Sequence, residues 1–232
     1  MTDGILRMKP RMKMLTALAM TGILLATAGC KIKKNEPPVA KADKGIEIFF
    51  DNDGFNADQF VAGIYQEKIA PYFREHAHDF NEVRAAIATD PDAAGRRYGH
   101  SENPVQTPWS FPVRIEGTIV DANTKSRAAF VSVDTDGDAK ADAKVQLGPV
   151  FKGTSLRDAL AFIPFSAFKN QIEYANVGRS LNKYVYDNNL SKLPRDDLVG
   201  KHISAAGAFT LPAKGQEIVI TPVEVTLSGG GQ

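Results

Sequence analysis

Carboxylates recur at alternate positions in Asp134-Thr135-Asp136-Gly137-Asp138, and Asp142 follows four residues on. Oxygens so spaced can converge on a hard cation such as calcium, which takes about six to eight of them. The spacing departs from a calcium loop of the EF-hand type. The glycine comes fourth instead of sixth, and the twelfth residue is Val145, where a bidentate Glu belongs. The same residues also suit an acidic hairpin turn, in which Asp and Gly supply the backbone angles. Both readings are open, and calcium is the one cofactor the residues suggest.

A second polar segment is Gly153-Thr154-Ser155-Leu156-Arg157-Asp158. Free N–H groups at a helix start can receive an anion. Equally, Ser155 can cap the helix with Asp158 three residues later, and Arg157 then pairs with a nearby carboxylate. A third candidate combines Phe162, Phe165, Phe168 and Tyr174 with Asn170-Gln171, and Trp109 offers another flat face. Aromatic faces beside planar amides suit a small polar ligand such as a sugar. The bland alternative makes the Phe residues core and has Asn170 and Gln171 satisfy backbone groups at a helix start. Arg157, Asp158, Trp109, Asn170 and Gln171 are therefore the candidate ligand-binding residues.

Other chemistry finds little support. His76 and His78 are two apart and cannot share a helix face. His100 and His202 stand alone, so no zinc set forms. No Gly-x-Ser-x-Gly elbow and no Gly-x-Gly-x-x-Gly loop occurs. No catalytic residue is assigned. With 28 basic and 27 acidic residues, the electrostatic footprint of a nucleic-acid binder is missing.

The elements that must position these residues follow from periodicity. Asn56 is an N-cap for a helix carrying Phe60, Ile64, Ile69 and Phe73, which Pro71 should bend or end. Asp79 caps a second helix with Val83, Ala86 and Ile87 on one face. Asp90-Pro91 starts a third. After Gly99 the period becomes two. Phe111, Val113, Ile115 and Ile119 form one strand, Asp121–Ser126 a turn, Ala129, Val131 and Val133 a second strand, and Ala143, Val145 and Leu147 a third. Helices over Leu156–Phe162 and Phe168–Asn188 come next. Strands over Lys201–Thr210 and Glu217–Thr226 follow, with Gly215 in their turn, and the tail from Ser228 is expected to be disordered. The expectation is an α+β chain: N-terminal helices, then a five-stranded OB-like barrel with a helical insert between strands 3 and 4. A different α+β sheet would share the pattern.

The amino terminus carries an address. Arg7, Lys9, Arg11 and Lys13 precede an uncharged run, Leu15 to Ala28, that ends in Ala28-Gly29-Cys30. A basic flank, a short apolar core and small residues make a secretory signal. The run is too short for a membrane span, which needs about 20 apolar residues. Met8, Met12 and Met14 are further candidate starts. The end resembles the lipobox of bacterial lipoproteins, with Thr27 where Leu is usual. In such proteins the cysteine is lipidated after cleavage. Cys30 is the one cysteine of the chain, so it has no intramolecular disulfide partner, and lipidation accounts for it. The division expected is 1–29 signal peptide, 30–54 lipid-anchored tether, 55–100 helical segment and 101–228 barrel. The place expected is the periplasm, on the inner or outer membrane.

Longer motifs carry a family resemblance. They are Thr89 to Gly95 with Tyr98-Gly99, Asp134 to Asp142 with Gln146-Leu147-Gly148-Pro149-Val150, Gly153 to Ala159, Asn170 to Ala175, and Gly207-Ala208-Phe209-Thr210. Together with Cys30 they resemble a family of predicted periplasmic lipoproteins of unassigned function, often encoded beside sugar ABC transporters. The resemblance implies a non-enzymatic envelope protein with ABC transporter components or a sugar as partners. A scaffold with no small ligand is the alternative.

Overall fold

The computed structural model describes residues 54–229. The signal peptide, Cys30, nearly all of the tether and the last three residues lie outside that range.

Helix α1 (Ala57–Ile64) starts at Asn56, whose side chain accepts the Gln59 N–H at 3.0 Å. Pro71 does not end the helical run. A π-helical turn, Tyr65–Ile69, precedes it, and α2 (Ala70–His76) takes Pro71 into its first turn. The widened turn absorbs the donor that Pro lacks, where a regular helix would have to break. Asp79 caps α3 (Phe80–Thr89) through the Glu82 N–H, and Asp90 caps α4 (Pro91–Tyr98) through two N–H groups. An unexpected two-residue strand, His78–Asp79, pairs in parallel with Val113–Arg114.

Five strands then close a barrel. They are β1 (Ser110–Asn123), β2 (Ala128–Asp134), β3 (Ala143–Pro149), β4 (His202–Thr210) and β5 (Val219–Ser228). β1 is long because it serves two partners. Its first half pairs with β4, from Ser110↔Thr210 to Thr118↔His202, and its second half pairs with β2, from Thr118↔Asp134. The handover falls at Gly117, where a Cβ would lie 2.1 Å from the Asp134 carbonyl oxygen, and at a register shift between Ile119 and Asp121. Such irregularities let a strand bend from one side of a barrel to the other. A short parallel pairing of Lys144–Val145 with Val219–Ile220 completes the circuit. This is the closed five-stranded architecture expected of an OB-like barrel.

Between β3 and β4 lie α5 (Ser155–Asp158), a 3-10 turn at Phe165–Ala167, α6 (Gln171–Val185) and a π turn, Tyr186–Leu190. Two expectations need correction here. The first insert helix is one turn long and stops well before Phe162: after Asp158 the chain passes into tight turns closed by the Leu160 N–H on the Arg157 carbonyl and the Ile163 N–H on the Leu160 carbonyl, and Pro164, which has no N–H, does not carry a helix past them. The second begins at Gln171 instead of Phe168, because Asn170 is extended and caps it. Two smaller boundaries also move: β1 runs through Asp121 to Asn123, and β5 reaches Ser228.

Two cores result. One joins the alternating apolar residues of all five strands with α3 and α4, through Phe80, Val83, Ala94 and Tyr98. The other packs α1, α2, α5 and α6 against Ala206 and Ala208 of β4 and Val223 of β5. Small residues on that face of β4 let the helices approach closely.

Candidate functional site

The β1 start and the β4 end meet the helical insert at a cleft of about 610 Å³. Ser110 and Thr210 form its floor, the 101–108 segment one wall, and Phe165, Gln171 and Tyr174 the other. Arg157 and Asp158 stand between. A volume of this order holds a small ligand.

The local build is tight. Arg157, 9% exposed, donates from Nε to Asp158 Oδ1 at 2.8 Å, from Nη1 to the Tyr174 carbonyl at 3.0 Å, and from Nη2 to Thr154 Oγ1 at 3.2 Å. Its guanidinium also lies 3.7 Å from the centroid of the Tyr174 ring. Thr154 Oγ1 donates onward to Asp158 Oδ2 at 2.7 Å. The His100 Nδ1–H donates to the Asp158 carbonyl at 2.8 Å, since a carbonyl only accepts, so Nε2 is the acceptor of the neutral ring. Glu102 crosses the cleft wall to wall, accepting the Phe165 N–H at 2.6 Å and the Tyr174 hydroxyl at 3.2 Å. Burial pushes the Tyr174 phenol up to about 12, with the Arg157 charge opposing and Asp158 and Glu102 adding to the rise. Tyr174 therefore remains a donor at neutral pH. Behind this wall, Ser155 donates to the Ala208 carbonyl at 3.0 Å and Gln146 Nε2 to Thr221 Oγ1 at 2.8 Å. Ser155 thus bonds to β4 and does not cap α5, whose N-cap position is Thr154.

Three of the five candidate ligand-binding residues, Arg157, Asp158 and Gln171, line the cleft. Two do not. Trp109 is buried against α4, where a Cβ on Gly95 would lie 2.3 Å from the indole, and its Nε1–H reaches Asp92 at 3.4 Å. Only glycine leaves room for so large a ring at that point on a helix, and core packing takes the side chain from the cleft. Asn170 spends its side-chain oxygen on the Ile172 and Glu173 N–H groups, at 2.9 and 3.0 Å. Asn170→Ala is expected to lower stability by about 1 kcal/mol and to leave the cleft intact; chemical denaturation measures it. Sequence reasoning missed His100, Ser101, Glu102 and Gln106. Their signal was the polar run just before the first strand.

The acidic turn lies at the other end of β1, where Asp134 pairs with Thr118. Carboxylate oxygens of Asp134, Asp136 and Asp138 lie within 4.8 Å of one another. Asp142, expected to join them, turns instead to the Thr135 N–H and hydroxyl and to Arg84. The nearby guanidinium and the hydroxyl supply donors that a cation would otherwise replace. Asp134 accepts the Gly137 N–H at 2.7 Å, the Ala139 N–H at 2.8 Å and the Asp136 N–H at 3.1 Å. Burial pushes its carboxyl up, and these three donors bring it below the usual range. Lys140 holds Asp138 low. Gly137 sits at φ +83°, where a side chain would be strained. The arrangement is that of a self-satisfied turn. Millimolar calcium is expected to leave the melting temperature unchanged; a rise in a thermal melt would restore the metal reading.

Known proteins were compared with the chain. The model of a family described as predicted periplasmic lipoprotein (DUF2291) matches residues 20–226. No curated protein matches it. Among solved structures, an OB-fold protein from Thermotoga maritima aligns with a TM-score of 0.61 at 18% identity, covering 75% of this chain and 99% of that one. A likeness at that identity concerns the fold, and it agrees with the closed barrel described above.

Proposed function

Because this chain belongs to the family of predicted periplasmic lipoproteins, whose model spans residues 20–226, we propose that it is a non-enzymatic accessory protein of the envelope. Lipid on Cys30 tethers it to the inner or outer membrane, and the cleft between the 101–108 segment and α6 holds a sugar. The observation that carries the ligand is the lining. The rings of Phe165 and Tyr174 stand with the planar polar groups of Gln171, Asn103, Gln106 and Glu102. Flat apolar faces beside fixed donors and acceptors suit a ring that is apolar on its faces and hydroxylated at its edge. A role in carbohydrate uptake is the finer part of this proposal and draws on the placement beside sugar ABC transporters that the resemblance implies.

Calorimetric titration of a panel of mono- and disaccharides tests this. One sugar is expected to bind, and Gln171→Ala to weaken it about tenfold, the loss of roughly one hydrogen bond. The melting temperature should not change, because Gln171 is exposed at the first position of α6. A protein that binds no sugar yet captures an envelope protein is a scaffold, and the ligand reading then fails.

A further inference from the structure

Among the described residues, five large apolar side chains are exposed: Val105, Val150, Phe165, Ile172 and Val199. Three belong to the segments that line the cleft. Val105, 94% exposed, lies between the lining residues Asn103 and Gln106, Phe165 is itself a lining residue, and Ile172, 71% exposed, follows Gln171. Glu102 ties the segment bearing Val105 to both Phe165 and Tyr174. Exposed apolar side chains concentrated on the segments of one cleft suit a surface that meets an apolar partner.

The position of the chain's departure says what covers it. Phe55, next to the first described residue, packs against Phe168 with ring centroids 5.4 Å apart. Phe168 lies 5.5 Å from Tyr174, and Tyr174 lies 5.4 Å from Phe165. The described chain therefore begins at Phe168, which Tyr174 joins to Phe165. About two dozen residues separate Cys30 from Gly54, a reach of at most about 80 Å. A patch next to the attachment point meets the bilayer at high effective concentration. The carboxylates at the cleft end are engaged within the chain: Glu102 accepts the Phe165 N–H, Asp158 pairs with Arg157 and Glu173 accepts the Lys169 N–H. Ser110↔Thr210 marks the cleft end of the barrel and Thr118↔His202 the other end. The acidic turn after Asp134 belongs to that other end, about 25 Å away along the strand, clear of anionic head groups. Lys169 stands between Phe165 and Ile172 in the sequence.

We propose that Phe165 and Ile172, with Val105 at the rim, dock on the phospholipid surface to which Cys30 tethers the chain, so that the cleft opens beside the bilayer. No helix among the described residues is long and apolar enough to cross a membrane, so the contact is peripheral and works by insertion of apolar side chains into the interface. It depends on the anchor at Cys30 and shares Phe165 with the proposed ligand cleft, so the label is placed at Ile172, which does not line the cleft.

The test uses the full lipidated protein in phosphatidylcholine–phosphatidylglycerol vesicles. Lipidation blocks Cys30, so an introduced cysteine takes an environment-sensitive nitrobenzoxadiazole label alone. The label at Ile172→Cys is expected to shift to the blue and to be quenched by doxyl-lipids. At Val199→Cys, which precedes β4 at its far end and is 61% exposed, it should report water. The shift should persist at about 0.5 M salt, where electrostatic attraction is screened within a few ångströms. A water-like signal at residue 172, equal signals at both sites, or loss of the shift in salt overturns the proposal.

Discussion

The Cys30→Ala variant is expected to leave the membrane fraction almost entirely and to appear in the soluble periplasmic fraction. Each acyl CH₂ buried in the bilayer is worth ~0.8 kcal/mol, and two or three chains on one cysteine hold a protein stably where one does not. Cys30 is the chain's single cysteine, so no second thiol can take over the lipid. The contact proposed for Phe165 and Ile172 buries a few side chains and is too weak to retain the protein alone. Fractionation with an intact periplasmic marker measures the effect. Retention at the wild-type level would mean that something other than this cysteine anchors the chain.

The second large effect is expected from Arg157→Ala. The guanidinium has 10% of its side-chain surface exposed and faces the Asp158 carboxylate, which keeps 30%. Removal takes the guanidinium from that carboxylate, which keeps the Thr154 hydroxyl alone, leaves the Tyr174 carbonyl and the Thr154 oxygen without this donor, and takes the cation off the Tyr174 ring. Breaking a buried pair on one side costs about 3–5 kcal/mol. The partial exposure of Asp158 places the expectation near the lower figure, about 3 kcal/mol. For a domain of this size that lowers the melting temperature by roughly 6–12 °C. The double variant Arg157→Ala/Asp158→Ala should recover part of the loss, because no unpaired carboxylate remains. A single variant with wild-type melting and abolished sugar binding would instead assign Arg157 to the ligand.

These expectations rest on parts of the molecule that differ in how far they could be read in advance. The caps Asn56, Asp79, Asp90 and Asn170 are local: each accepts N–H groups two or three residues ahead, and short-range spacing reveals them. The strands are legible because one face is buried, and Val131, Val133 and Val145 have no exposed surface. Boundaries were less legible. Pro71 is absorbed by a π turn and α5 stops after one turn, outcomes that depend on the packing on either side. The cleft was half legible. Arg157, Asp158 and Gln171 belong to polar runs that draw notice, whereas His100 and Glu102 are unremarkable until folding sets them 58 and 72 residues away in sequence, against the Asp158 carbonyl and the Tyr174 hydroxyl.

Sequence by itself determined the order of helices and strands and the expectation of an export address at Cys30, because each depends on composition, periodicity or turn chemistry within a few residues; that the strands close into a barrel was decided by pairings far apart in the chain. Tertiary structure alone decided where the conspicuous side chains point. Trp109 goes to Gly95 because an indole without a glycine opposite it has no room on that helix. Asp142 goes to Arg84 and Thr135 because a guanidinium and a hydroxyl from outside the loop's alternating carboxylates stand within reach of it. Whether a polar or aromatic residue faces a cleft or a core is settled by neighbours distant in the chain, and local pattern carries no record of them.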